Sequence, residues 1–534
     1  MVSKDRGLCQ HCAKDFNLFM WIRGYCCFAK SAPGMRVGTL ANLSLANMGK
    51  SGIIKEIFFE VLLSGGTPEG EGRTIVSLRL KLLRFWHTKR PKSLSATKVI
   101  AIAFALIILT GTLLLTLPAA SRSGVSCGFR PALFTATSAT CVTGLILVDT
   151  WTQWSGFGQA VILCLIEIGG LGFMSAAALV VFTLRKKVGL KQRLVMAQAL
   201  SVDDMNGVVK LQKTVLLGSL GIQFAGALIL FLRFLPDCGA RRALIWSVFH
   251  SVSAFCNAGF DIFGVYAPDA SIACLNHDPV VMIAIMTLIT LGGLGFFVWE
   301  EVVRLRSWKK FSVYIKLVLL ASGVLVLSGA VIFLGLEWSN PATLGPMPVW
   351  QKILNAFFQS VTLRTAGFAS IDQAGLTEAG KAVSIVFMLI GGSSGSTAGG
   401  LKTVTVVTLL LFIWTRARGR STVTAFKHTV PYGKVLDAMT IISIVVGLCM
   451  AGAIFITVTS PVNFVDALYE AASALATVGN TTGATRLLSV PAQFLIIIYM
   501  YFGRVGVLTL SLGFLIGNQA EERFRYAETN LLIG

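Results

Sequence analysis

The chain has 534 residues, 54% of them apolar and only 13% charged, with a formal net charge of +21 and a mean hydropathy of +0.75. Soluble domains carry about 25% charged residues, so a water-soluble globule is excluded and a bilayer is the expected solvent. The positive charge does not point to a nucleic-acid partner: Lys and Arg fall in short clusters between apolar runs, as they do in loops on the cytoplasmic side of a membrane.

Residues 1–95 are polar, basic and irregular, and show no signal peptide with a usable cleavage site. They read as a cytoplasmic extension or as a start assigned too early, with Met35 and Met48 as alternatives. Cys9, His11, Cys12, Cys26 and Cys27 lack the second well-formed CxxC of a zinc site. Gly49-Lys50-Ser51 is not a P-loop, because Ser44 stands where that motif needs glycine. Residues 53–63 have the pattern of an amphipathic surface helix.

From Thr97 onward the pattern is regular. A span needs about 20 apolar residues. Eight candidates lie near 97–119, 156–184, 209–235, 279–303, 311–337, 382–415, 435–459 and 491–517. Within each successive pair lies a shorter, semi-polar stretch, at 129–150, 241–264, 350–372 and 464–485. Such a stretch is too short to cross, but it can enter as a helix and return as extended chain where it lines a wet cavity. Basic clusters flank the spans on one side: Lys89, Arg90, Lys92 and Lys98; Arg185, Lys186, Lys187, Lys191 and Arg193; Arg304, Arg306, Lys309 and Lys310; Arg416, Arg418, Arg420 and Lys427; Arg523 and Arg525. That side is cytoplasmic by the positive-inside rule, which puts both termini inside.

The expected fold is therefore an all-α polytopic membrane protein: four membrane–pore–membrane repeats, with eight spans and four re-entrant pore helices, in pseudo-fourfold symmetry around one pore. Repeat 1 covers 96–195, repeat 2 covers 196–310, repeat 3 covers 311–430 with an interrupted stretch at 391–402, and repeat 4 covers 431–517, before a cytoplasmic tail at 518–534. The cysteines within apolar segments (Cys164, Cys274, Cys449) read as small hydrophobes rather than a disulfide framework.

The re-entrant stretches repeat one motif. Ser138-Ala-Thr-Cys-Val-Thr-Gly144, Ser253-Ala-Phe-Cys-Asn-Ala-Gly259 and Ser473-Ala-Leu-Ala-Thr-Val-Gly479 align directly, and Ser360-Val-Thr-Leu-Arg-Thr-Ala-Gly367 is one residue longer. One copy is weak; four copies, each between two spans, define an architecture. A K⁺ filter replaces the ion's hydration shell with rings of backbone carbonyls. Glycine reaches the required dihedral angles and lets four segments crowd one axis. The candidate filter is Val142, Thr143 and Gly144; Asn257, Ala258 and Gly259; Thr365, Ala366 and Gly367; and Thr477, Val478 and Gly479. Asp149, Asp261 and Asp372 follow closely. They would either concentrate cations at the outer mouth or serve as loop carboxylates and helix caps.

The sixth candidate span contains Gly391, Gly392, Ser393, Ser394, Gly395, Ser396, Thr397, Ala398, Gly399 and Gly400, followed by Lys402. Five glycines in ten residues break a helix, and a break at membrane depth should line the pathway. It reads as a flexible plug, with close helix packing as the alternative. Arg504 lies mid-span, where a charge is expected to face the interior and be paired; carbonyls or serines of 391–400 are its expected partners, and Glu167 is the alternative. The twin runs at 169–173 and 292–296 (GGLGF) read as close-packing surfaces, and Arg364 as a brace behind its filter strand. The five histidines are dispersed and form no catalytic cluster, so no enzymatic activity is expected.

Together these motifs (TSATCVTGLILVDT, FHSVSAFCNAGFD, QSVTLRTAGFASID, ATVGNTTGAT and the terminal RYAETNLLIG) resemble the membrane subunits of the Trk/Ktr/HKT superfamily of K⁺ transporters, over about residues 95–534 and more closely the Ktr branch. The resemblance implies a channel-like K⁺ uptake pore in the plasma (inner) membrane, with filter glycines at Gly144, Gly259, Gly367 and Gly479. It implies a gate at 391–402 with Arg504 beside it, and a homodimer in membrane lipid. It also implies a cytosolic RCK/KTN-type subunit that binds ATP/ADP or NAD(H). No covalent cofactor is implied; K⁺ is the transported ion, and a Na⁺ transporter or Na⁺–K⁺ symporter of the same architecture is the alternative. Asn480 departs from the family, where an apolar residue is usual.

Overall fold

The computed structural model describes residues 96–172 and 208–506. The expectations for residues 1–95, the basic loop at 185–193 and the tail at 518–534 lie outside the described residues.

The first helix, α1 (Ala96–Thr116), is almost purely apolar. Ile102, Leu106, Leu109 and Leu113 stay exposed along one face, as side chains facing lipid do. Three of its hydroxyls pair within the helix: Thr110, Thr112 and Thr116 donate to the carbonyls of Leu106, Ile108 and Thr112 at 2.7–2.8 Å. The chain then re-enters as the short α2 (Phe129–Thr140) and turns back before α3 (Gly156–Leu171). The same order recurs. Helix α4 (Val208–Phe255) contains both a long apolar arm and a short return arm, separated at Gly239 (φ 75) beside Pro236. Its successors are α5 (Pro279–Leu294) and α6 (Phe296–Leu305). Helix α7 (Val313–Glu337) is followed by the short α8 (Val349–Thr362), α9 (Glu378–Leu389) and α10 (Thr403–Ala417). A small hairpin, β1 (Thr424–Ala425) with β2 (His428–Thr429), leads into α11 (Tyr432–Thr459), the short α12 (Phe464–Leu475) and α13 (Val490–Val505).

The helix after each re-entrant stretch starts from a side-chain cap. Ser155, Asp278, Thr377 and Ser489 accept hydrogen bonds from the first-turn N–H groups of α3, α5, α9 and α13. These caps satisfy donors that a helix start leaves open.

Two of those helices, α5 and α9, are followed by a break rather than by continuous helix. Among the described residues four helices are long and apolar enough to cross a membrane, or five if α5 and α6 are counted as one span bent by 93°. The fourth candidate span is thus bent between α5 and α6, the sixth is interrupted as its composition implied, and the second and eighth continue beyond the described residues. Helix α3 stops at Gly172 (φ 83), α5 at Gly295 (φ 92) and α13 at Gly506 (φ 98). Only glycine adopts these dihedrals without strain. The GGLGF runs are thus more than packing surfaces. Their paired glycines pack closely, since a Cβ at Gly170 would meet Cys256 at 2.6 Å, and their last glycine ends the helix.

Adjacent units pack in a closed order. Helix α3 meets α4, α5 meets α8, α9 meets α12, and α13 returns to α2. The described cysteines are free, and Cys449 is buried among apolar neighbours.

Candidate ion pathway

Each short helix ends four or five residues before one of the repeated glycines, at Thr140, Phe255, Thr362 and Leu475. A left-handed residue follows in every case: Val142 (φ 57), Asn257 (φ 58), Thr365 (φ 63) and Thr477 (φ 53). Three of these are β-branched, for which this conformation costs about 1–3 kcal/mol each. Four strained turns at matching positions mark a shape that the surroundings enforce. Two residues later the glycines themselves are left-handed, at φ 98, 68, 80 and 99.

The glycines converge. A Cβ on Gly144 would lie 2.6 Å from the Ala258 carbonyl oxygen, one on Gly259 2.9 Å from that of Ala366, and one on Gly367 2.5 Å from that of Val478; one on Gly479 would collide with the Thr143 oxygen. Each glycine thus faces the carbonyl of the residue before the next glycine, and the sequence of contacts closes on itself. The side chains of Thr143, Ala258, Ala366 and Val478 are buried behind this ring. The short helices end toward it, so their partially negative C-termini face the same spot.

Serines brace the turns. Gly144 N donates to Ser138 Oγ and Gly479 N to Ser473 Oγ, both at 3.0 Å, while Ser253 Oγ donates to the Phe260 oxygen at 2.6 Å. The third stretch differs from its alignment. Ser360 turns outward to the Leu325 and Val326 oxygens, and Thr362 donates to the Phe368 oxygen at 2.6 Å instead. The extra residue is absorbed by moving the hydroxyl two positions. Arg364 is buried and donates to Ser322 on α7 at 3.0 Å. Asn480 is buried beside the Tyr469 phenol, whose hydroxyl donates to Gln373 Oε1 at 2.9 Å.

The nearby acids shape loops. Asp149 accepts from Thr152 N at 2.7 Å and Asp269 N at 3.2 Å, Asp261 from Phe263 N at 3.1 Å, and Asp372 from Ala374 N at 3.0 Å. Asp149 caps a short helical turn, while Asp261 and Asp372 accept within their own loops. Loss of hydration, with help from Asp149 and Asp269, pushes the Asp261 carboxyl up to about 7. The fourth stretch, which lacks such an acid, contributes Arg486, paired with Asp269 from the second.

Residues 390–402 leave the helix between α9 and α10. Ile390 and Leu401 form a bridge at the neck, with Gly391 N donating to Leu401 O at 2.9 Å. The loop lies in the bend between α5 and α6: Ser393 N and Thr397 N donate to Gly293 O and Gly292 O at 3.1 and 3.2 Å, and Phe296 N donates to Gly395 O at 2.8 Å. It also touches the turns above. Thr397 Oγ1 donates to Phe255 O at 3.1 Å, and a Cβ on Gly399 would collide with Thr477 Oγ1. Ser396 Oγ closes the loop on Ser393 O at 2.6 Å, Tyr314 holds Ser394 O at 3.0 Å, and Lys402 Nζ returns to Ala398 O at 2.9 Å. Gly392 packs against Ala398, and Gly400 (φ 64) against Ala476.

Arg504 donates to the oxygens of Thr397, Gly169 and Gly170. It joins the loop to the broken end of α3. Glu167 is not among these partners; that side chain accepts from Gln223 at 3.0 Å and Cys256 at 3.3 Å. Sequence reasoning missed this acid–thiol–amide group and the hinge at Gly295; the last glycine of each GGLGF run was the available signal for the latter.

Known proteins of similar sequence fit this geometry. A family model described as TrkH, cation transport protein, matches residues 73–526. The potassium/sodium uptake protein NtpJ of Enterococcus hirae is 39% identical over 448 residues, 83% of this chain and 98% of its own length. The Ktr system potassium uptake protein B of Bacillus subtilis is 39% identical over 430 residues, 80% of this chain and 94% of its own. The crystal structure of the potassium transporter TrkH from Vibrio parahaemolyticus has the same fold, with a TM-score of 0.61 at 18% identity over 80% of this chain and 86% of that one. With the family model spanning most of its length and relatives matched almost end to end, this multi-pass membrane chain belongs to the TrkH family of cation transport proteins, the Trk/Ktr membrane subunits.

Proposed function

We propose that the chain carries K⁺ into the cell across the plasma membrane, through one pore formed by four membrane–pore–membrane repeats in pseudo-fourfold arrangement. The observation that carries this reading is the closed ring in which each repeated glycine faces the carbonyl before the next. Desolvated K⁺ is stabilised by such oxygens, supplied by Val142 to Gly144, Asn257 to Gly259, Thr365 to Gly367 and Thr477 to Gly479. Residues 391–402, held beneath the ring by Thr397 and Arg504, act as the gate. In this reading Arg504 also repels cations while the gate is shut. Both termini lie in the cytoplasm, where the basic clusters are.

The B. subtilis relative is named as part of a Ktr system, which supports a partner subunit for this chain. We assign that role to a cytosolic RCK/KTN-type protein binding ATP/ADP or NAD(H), acting on a homodimer of the membrane subunit. The E. hirae relative is named for potassium and sodium, which supports Na⁺ transport or Na⁺–K⁺ symport as the second reading.

The test is rescue of a K⁺-uptake-deficient bacterium on low-K⁺ medium, with the chain expressed alone and with the soluble subunit encoded beside it. Rescue is expected, with dependence on the second subunit identifying the regulator. Membrane insertion without rescue, accompanied by Na⁺ flux, would replace this reading by the Na⁺ one.

A further inference from the structure

Between Thr403 and Leu436 the chain carries Arg416, Arg418, Arg420, Lys427 and Lys434 and no acidic residue. All five are exposed, and among the described residues none forms an ion pair with an acid. The pathway uses none of them. On α10, Leu410, Ile413 and Trp414 form an exposed apolar row; on α11, Tyr432, Leu436 and Met439 form another. Rows at this spacing on a membrane helix face lipid. The basic segment joins the end of α10 to the start of α11.

The β1–β2 hairpin lies in that connecting segment and packs against α10. Its strands pair Thr424 with Thr429 and Ala425 with His428, and Phe426 and Lys427 form the turn in left-handed conformation (φ 47 and 66). Val423 and Ala425 are buried and fix its base, and Val430 N donates to Val423 O at 2.9 Å. Phe426 is exposed at the tip beside Lys427. At the end of α10, Arg418 N and Arg420 N fold back to Trp414 O and Thr415 O at 3.3 and 3.1 Å. The Arg418 guanidinium lies 4.4 Å over the Trp414 ring, and that of Arg416 lies 5.4 Å over the Phe412 ring. Tryptophan and tyrosine settle at the headgroup level of a bilayer. Trp414 and Tyr432 therefore put the basic residues among the headgroups rather than in free solvent.

We propose that this face is a binding site for anionic phospholipid of the cytoplasmic leaflet. The acyl chains lie along the Leu410–Ile413–Trp414 and Leu436–Met439 rows. The phosphate is received by the guanidinium groups of Arg416, Arg418 and Arg420 and by the Lys427 ammonium. Guanidinium is suited to phosphate because its paired N–H groups match two oxygens, and clusters of four or more basic residues just beyond a span attract anionic lipid. Helix α10 begins directly after the 390–402 loop, so a lipid seated at its far end braces the helix that carries the gate. The proposal rests on the orientation given above, with these clusters on the cytoplasmic side.

The test reads binding without transport. The purified full chain is titrated with phosphatidylglycerol and phosphatidylcholine in detergent, and retained lipid is counted by native mass spectrometry. Preference for phosphatidylglycerol is expected, reduced at least about tenfold in affinity by combining Arg416→Gln, Arg418→Gln, Arg420→Gln and Lys427→Gln. Combining Arg304→Gln, Lys309→Gln and Lys310→Gln, at another basic loop, is expected to leave it unchanged. Equal loss in both sets, or loss in neither, overturns the proposal. Unchanged lipid retention with loss of a co-purifying soluble subunit overturns it too, and makes the face a protein dock. A second measurement needs no variant: photocrosslinking of the wild-type chain with azido-phosphatidylglycerol should label peptides within 410–439, and labelling only elsewhere overturns the site. Failure of either result leaves K⁺ uptake standing, and failure of K⁺ rescue leaves this binding measurable.

Discussion

Gly170 and Arg504 lie 334 residues apart, yet the arginine Nη2 donates to the glycine oxygen at 2.8 Å. The same guanidinium holds Gly169 O and Thr397 O. The loop and the end of α3 are thus tied to one cation. Hydrogen bonds from a charged group contribute about 1.5–3 kcal/mol each. Arg504→Gln should loosen the loop and raise K⁺ flux in proteoliposomes about tenfold, with unchanged K⁺ over Na⁺ preference. A fall in flux by a well-folded variant would contradict the gate assignment.

Removing the loop tests the same idea without touching the arginine. Deletion of 393–399 cuts the ties to Gly292, Gly293, Phe255 and Phe296. Flux should rise while selectivity, set by the glycine ring above, stays as in the unaltered chain. Reversal potentials in mixed K⁺ and Na⁺ would measure both.

Serine at the ring glycines should damage selectivity in a graded way. The approach is tightest at Gly479, where an added Cβ collides with Thr143 O, and widest at Gly259. Gly479→Ser should cost the most, and Gly144→Ser should lower the K⁺ to Na⁺ ratio about tenfold, equal to about 1.4 kcal/mol. Ion competition assays would rank the four.

The outer mouth should respond to pH through Asp261. Its carboxyl is held near 7 by lost hydration and by the charges of Asp149 and Asp269, so it is neutral below that pH and charged above. Lowering external pH from 8 to 6 removes negative charge near the entry. Uptake at subsaturating K⁺ should then fall about twofold. Asp261→Asn should show the low-pH rate throughout, and a variant that keeps the pH slope would assign the slope to another group.

Stability at the outer end of the third repeat rests on Glu337. This buried carboxylate accepts from Asn340 Nδ2, Thr343 Oγ1, Thr377 N and Thr377 Oγ1 at 2.6–3.0 Å. It joins the end of α7 to the start of α9. Glu337→Ala should cost about 3 kcal/mol, seen as an earlier thermal transition in detergent, with Glu337→Gln milder.

What the sequence revealed follows from periodicity and repetition. The apolar runs and the four motif copies located α1, the apolar arm of α4, α7, α11 and the glycines from Gly144 to Gly479. The run from Gly391 to Gly400 announced a break because its composition is extreme. The hinge at Gly295 was hidden because one glycine inside an apolar run also serves for close packing, and only its dihedral angle tells the two apart. The switch from Ser360 to Thr362 was equally invisible, since counting from either hydroxyl gives a sensible motif. The pairing of Arg486 with Asp269 joins residues 217 apart and leaves no local trace.

The ring is assembled from four different stretches of one chain, and this frees its quadrants from one another. A subunit repeated four times would place any substitution at every corner at once. Here Asn480 stands only beside Gly479, and Arg364 only behind Gly367. One side of the passage can therefore acquire a new backing or a new partner while the other three keep theirs. Ion preference in such a chain can drift by quarter steps.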